Sequence, residues 1–173
     1  DVVLALFLLS DQFSLSDKRR DFDYYEKVTT HDSSLSTCIF SIGASEVGYH
    51  DKAYQYFMET ALLDLDNTHG NTHYGIHTAS MAGTWLGIAC GFGGMRITSG
   101  QLRFAPALPR QWTHYQFKVH FRDALVQVRV QQEQVHYSLL KGESIAFEHG
   151  TAHVALSRQE PVAAMPMYNR EAA

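Results

Sequence analysis

Three histidines fall at four-residue steps, His69, His73 and His77, and the last leads into Thr78 and Ser80 within the stretch GIHTASMAG. Two chemistries suit such a row. Residues four apart share one face of a helix, so three imidazoles could converge on zinc. Gly70 and Gly75 interrupt the segment, however, and Asn71 and Thr72 favour turns. No cysteine or carboxylate stands in ligand register with the row, so no metal is expected. The alternative is an anion. The first N–H groups of a helix lack internal partners and carry partial positive charge, so a phosphate sits well there. Thr78 and Ser80 add hydroxyl donors, His77 adds a proton or a charge, and Ala79, Ala82 and Gly83 allow close approach. Residue types alone fit ordinary capping of a buried helix better than a phosphate cradle.

A second polar knot is Thr29-Thr30-His31-Asp32-Ser33-Ser34. Neighbouring side chains point apart, so His, Asp and Ser in a row rarely form a triad. Capping of the next helix is the simpler reading. Asp64 and Asp66 could do acid–base work as a pair, but they read as solvated loop acids. Cys38 and Cys90 lie in apolar stretches without CxxC spacing and read as inert buried thiols.

The elements that must carry these residues divide into two periods. To about Phe92 the chain reads as helical. Val2–Leu9 is apolar on every side, as a helix buried among others is. Ser14 and Asp17 suit a capping box for a polar helix. Leu35–Val47 stops at Gly48, Asp51 stands as an N-cap, and Ala53, Tyr54, Phe57, Ala61 and Leu62 share one helical face. Thr78–Ala89 is the last apolar helix. Beyond the glycines at 91–100 the period becomes two: Phe117, Val119 and Phe121, then Val126, Val128 and Val130, then Val135, Tyr137 and Leu139. Short alternating strands with frequent turns predict an antiparallel sandwich. The stretch from Pro161 reads as loosely ordered.

Composition is that of a globular chain, with 45% hydrophobic and 18% charged residues. A net charge of −4 over 173 residues does not favour nucleic acid or an anionic membrane as partner. The longest apolar run, Val2–Leu9, is too short to span a bilayer. That run has no start signal before it, so the chain reads as a piece from the C-terminal part of a longer protein.

Four motifs, TTHDSSLS (29–36), LDLDNTHGNT (63–72), GIHTASMAGTW (75–85) and GFGGMRI (91–97), together with LRFAPALPRQW (102–112), resemble glycoside hydrolase family 65. They run in the family's order and cover nearly the whole chain. The family contains maltose, trehalose and kojibiose phosphorylases. The resemblance implies an α+β chain: the closing helices of an (α/α)6 barrel over 1–96, a small antiparallel C-terminal β-sandwich domain over 97–160, and a loose end over 161–173.

The resemblance also implies a reaction, inverting phosphorolysis of an α-linked glucosyl disaccharide to β-glucose 1-phosphate. An inverting hydrolase uses a carboxylate to activate water, whereas phosphate brings its own charge and needs a cradle. His77, Thr78, Ser80 and Gly83 are similar to part of that cradle, and His31, Ser33 and Ser34 to a second loop facing the same pocket. The general-acid glutamate belongs to an earlier loop. Glu26, Glu46 and Glu59 stand in the wrong contexts, so the chain alone is expected to be inactive. Tyr74 stands where the family pattern has an acid, and Ala82 where it has a glycine. The parent is expected to be a cytosolic homodimer that uses inorganic phosphate as co-substrate and needs no cofactor or metal. The alternatives are a trehalose-type hydrolase of the same family, or a non-catalytic carbohydrate-binding β module using Trp112, Tyr115, Phe117 and Phe121.

Overall fold

The computed structural model describes residues 2–168. They form an α+β chain of two compact units that divide between Gly91 and Phe92. The division at 91/92 lies ahead of the expected 96/97, because Phe92 packs its ring on Trp112 and Tyr115 of the second unit.

The first unit holds α1 (Val2–Leu8), α2 (Leu15–Val28), α3 (Ser36–Glu46), α4 (His50–Leu62) and α5 (Thr78–Leu86). The cap read from Ser14 is present: its Oγ accepts the Asp17 N–H at 3.1 Å. At α4 the expected N-cap Asp51 instead lies inside the first turn, with Tyr49 as the capping residue. Gly48 ends α3 at φ +88°, a left-handed setting that favours glycine.

Helix α3 is buried on nearly all sides, and its hydroxyls are satisfied internally. Thr37 shares a 2.9 Å bond with Thr60, Ser41 donates to the Ala53 carbonyl, and Ser45 donates to the Gly91 carbonyl. Two glycines set α5 against its neighbours. A Cβ at Gly83 would lie 2.8 Å from Cys38 Cβ, and one at Gly87 would lie 2.9 Å from the Phe57 ring. The helix predicted over Thr78–Ala89 is α-helical only to Leu86, and Gly87–Phe92 continues as a wider π turn.

The second unit is a sandwich of two four-stranded sheets, β1-β2-β6-β7 and β3-β4-β5-β8. The strands are β1 (Arg96–Thr98), β2 (Gln101–Phe104), β3 (His114–Phe121), β4 (Ala124–Gln131), β5 (Gln134–Lys141), β6 (Ser144–His149), β7 (Ala152–Ser157) and β8 (Val162–Pro166). One pairing departs from the antiparallel expectation: β2 and β6 run parallel. Alternate residues of β3 and β4 face inward, as the period of two requires. Phe104 packs on Phe117 and Tyr137 of the opposite sheet and edge-on to Phe147 at 5.4 Å. Each such ring contributes about 1.5–3 kcal/mol of burial. Tyr115 and Phe117 belong to this core, Trp112 packs on Phe92 and Tyr115, and the Arg122 guanidinium lies over Phe121. Tyr115 and Phe117 therefore offer no open stacking face to a sugar.

The loose end expected from 161 does not hold for Val162–Pro166, which pair as β8 along β5 from Ser138 to Gln134. Two side chains secure it. His149 bonds the Pro166 carbonyl at 2.9 Å, and Tyr168 lies against Gly150. Residues 169–173 lie outside the described residues. No helix among the described residues is long and apolar enough to cross a membrane.

Candidate functional site

Helix α4 ends at Leu62, and the chain runs to α5 through a loop that organises itself. Asn67, at φ +48°, turns its Oδ1 to accept both the N–H and the hydroxyl of Thr72, at 3.2 and 2.9 Å. Gly70 N–H closes on Asn67 O, and Gly75 N–H on Thr72 O. The base of the loop is shut by Asp64 and His77. One Asp64 oxygen accepts the His77 backbone N–H at 2.8 Å, and the other meets the ring Nδ1 at 2.6 Å. These hydrogen bonds from His77 hold the Asp64 carboxyl below its ordinary range. An ionised carboxylate only accepts, so the ring carries a proton on Nδ1. His77 is the N-cap of α5, its carbonyl receiving the N–H groups of Ser80 and Met81.

The other residues singled out in this segment divide by role. Thr78 opens α5 and is exposed. Ser80 is 2% exposed, and its hydroxyl donates to the Ser34 carbonyl at 2.9 Å. That bond brings the loop at 31–35 to the start of α5. Gly83, expected to make room for an anion, lies deeper in the helix against Cys38, so its missing Cβ serves helix packing. His69 approaches the His77 ring at 6.3 Å, while His73 packs tilted against Tyr74. Among the described residues no three of His, Cys, Asp and Glu converge as ligands.

In the second loop, His31 adopts φ +56°, which aims its ring inward onto Phe40. Its Nδ1 meets the Ser36 hydroxyl at 2.8 Å and its Nε2 the Tyr56 hydroxyl at 3.4 Å. Burial, aided by the nearby Glu26 carboxylate, pushes the Tyr56 phenol up to about 12. Tyr56 therefore stays protonated and donates to Glu26, which Lys52 also holds at 2.6 Å. Ser33 is exposed and its Oγ accepts the Leu35 N–H, whereas Ser34 contributes its carbonyl to Ser80. A cavity of about 530 Å3 opens here, lined by Thr29, Thr30, His31, Asp32, Ser33 and Ser36 above an apolar floor. Adjacency in sequence does not make a triad of His31, Asp32 and Ser33: Asp32 bonds Thr30, and His31 bonds Ser36.

Two loops 46 residues apart are thus joined by Ser80 and Ser34, with His77 clamped beside the junction. Residues 1–86 match the model of the glycosyl hydrolase family 65 central catalytic domain, and residues 95–156 that of the family's C-terminal domain. The chain belongs to glycosyl hydrolase family 65. Its family 65 relatives include an α,α-trehalose phosphorylase of Geobacillus stearothermophilus, 48% identical over 163 residues, or 94% of this chain and 21% of that protein. A maltose phosphorylase of Bacillus subtilis is 42% identical over 84% of this chain and 19% of its own length. A solved structure from the human microbiome, described as a candidate kojibiose phosphorylase, matches with a TM-score of 0.90 and 32% identity over 98% of this chain and 24% of that one. The chain spans about a fifth of the length of the curated relatives it matches.

Asp64, read from the sequence as a solvated loop acid, is instead 15% exposed and paired with His77, a partnership that the sequence reading missed. It stands 13 positions before His77 across a turn-rich loop, so no helical or strand period relates the two.

Proposed function

We propose that the protein carrying this chain is an inverting disaccharide phosphorylase. It cleaves an α-linked glucosyl disaccharide of the trehalose, maltose or kojibiose type with inorganic phosphate, releasing β-glucose 1-phosphate and a free sugar. The glycosidic C1–O bond breaks as a phosphate oxygen bonds C1 from the opposite face. The leaving oxygen takes its proton from a general acid. Phosphate needs no base, but it needs donors that hold it in line.

The observation that carries this reading is the seat of His77. Its backbone and Nδ1 are spent on Asp64, so the ring offers Nε2 at the start of α5, beside the exposed Thr78 hydroxyl. Helix N-termini favour anions there. In this reading His77 and Thr78 touch phosphate. Ser80 acts by tying Ser34 and its loop to α5, and Gly83 by seating the helix. His31 and Ser33 border the adjoining cavity.

The general acid comes from outside this chain. Glu26 is committed to Lys52 and Tyr56, Glu46 to Lys18 and Ser10, and Glu59 to Gln55. The chain alone is therefore inactive, and the whole protein acts as a cytoplasmic homodimer with phosphate as co-substrate and no cofactor. Incubating the full-length protein with α,α-trehalose, maltose and kojibiose, with and without phosphate, tests the reading. β-Glucose 1-phosphate should appear only with phosphate. Free glucose forming equally without it would make the enzyme a hydrolase.

A further inference from the structure

We propose that Asp64 is a positioning residue for phosphate: it holds the His77 ring so that Nε2 faces the anion. The inference rests on the phosphorolysis reading above. Asp64 grips His77 at two points, the backbone N–H at 2.8 Å and the ring Nδ1 at 2.6 Å. A ring held this way can neither flip nor move its proton off Nδ1 without losing a charge-assisted bond. No other hydrogen bond to the His77 ring is present among the described residues, so Nε2 is the edge it presents. The pair is mostly shielded from water, at 22% and 15% side-chain exposure.

Above its base, the turns of the loop are held without Asp64's side chain. Asp66 N–H closes on Leu62 O, Thr68 N–H on Leu63 O, and Asn67 Oδ1 gathers Thr72. One carboxylate oxygen closes the base of the loop on the His77 N–H and the other holds the ring, so a side chain that keeps only the first bond separates loop stability from ring orientation.

The experiment uses the full-length protein and whichever of the three disaccharides it cleaves. Initial rates are measured against phosphate and against disaccharide for wild type, Asp64→Asn, Asp64→Glu, His77→Ala and the double variant, each with a melting curve. Asparagine still accepts the His77 N–H, but its amide NH2 cannot accept the Nδ1 proton. Asp64→Asn should raise the phosphate KM by at least about tenfold, the scale on which residues that orient a ligating imidazole act. The disaccharide KM should stay unchanged, Asp64→Glu should recover part of the loss, and the double variant should be no worse than His77→Ala. A folded Asp64→Asn enzyme with wild-type phosphate KM overturns the inference while leaving the phosphorolysis reading intact, as does a double variant whose loss is the product of the single losses. If Asp64→Asn does not fold, Asp64→Glu decides: an unchanged phosphate KM counts against the inference and a raised one supports it. An unchanged phosphate KM in His77→Ala sinks the cradle itself, and this inference with it.

Discussion

The Ser80 hydroxyl donates to the Ser34 carbonyl across 2.9 Å, joining two segments 46 residues apart in the chain. Ser80 is almost wholly buried, and this bond satisfies its hydroxyl. Ser80→Ala leaves the carbonyl without a donor and should cost about 1–2 kcal/mol, read by denaturant unfolding. The same variant should raise the phosphate KM in rate assays, because the 31–35 loop is no longer tied to α5. Unfolding that matches wild type would show that water replaces the hydroxyl.

Gly83→Ala tests how α5 is seated. Its new methyl would meet Cys38 Cβ at 2.8 Å and Sγ at 2.9 Å. Overpacking of this kind costs about 1–3 kcal/mol. Cys38→Ala in the same background removes only the Sγ contact and should restore part of the loss. A wild-type melting temperature for Gly83→Ala would mean that α3 and α5 are not held this closely.

Lys18 is 6% exposed, and its Nζ lies 2.6 Å from both Glu46 and Ser10. Glu46→Ala strands a buried charge and should destabilise the helical unit by about 2–3 kcal/mol. Replacing both partners with apolar residues, Lys18→Met with Glu46→Leu, should recover most of that. Equilibrium unfolding of the three variants checks the order.

His149 makes the β unit sensitive to acid. Burial holds this imidazole below its ordinary range, with Tyr137 hydroxyl and Pro166 carbonyl as its partners at 2.8 and 2.9 Å. The unfolded chain binds the proton more readily, so this contribution is present above the unfolded value near 6.5 and is lost as pH falls below it. The protection of the β8 amides, taken as the intrinsic exchange rate at each pH divided by the observed rate, should therefore fall between pH 7 and 5. His149→Gln should be less protected at neutral pH and show a flatter pH dependence of protection. Protection independent of pH in the wild type would remove His149 as the group responsible.

Much of the architecture was legible because it rests on local rules. The alternation of Phe117, Val119 and Phe121, and of Val126, Val128 and Val130, places those side chains on one face of a strand whatever its neighbours are. Ser14 caps α2 through a bond only three residues long. Val162–Pro166 escaped the same reading, since Ala163, Ala164 and Pro166 carry little strand signal alone. Their pairing is decided by β5 and by the His149 bond to Pro166.

The candidate site divides along the same line. The sequence by itself determined that His77 and Thr78 stand at a helix start, and that His31 and Ser33 lie in a polar loop ahead of another helix. Only the tertiary structure decided that Asp64 grips His77, that Ser80 turns away from solvent to Ser34, and that Gly83 accommodates Cys38. Helix starts and polar loops follow from neighbours within a turn or two. Contacts across 13 and 46 residues depend on where α3, α4 and α5 come to rest, and side-chain packing sets that position, which no local period encodes.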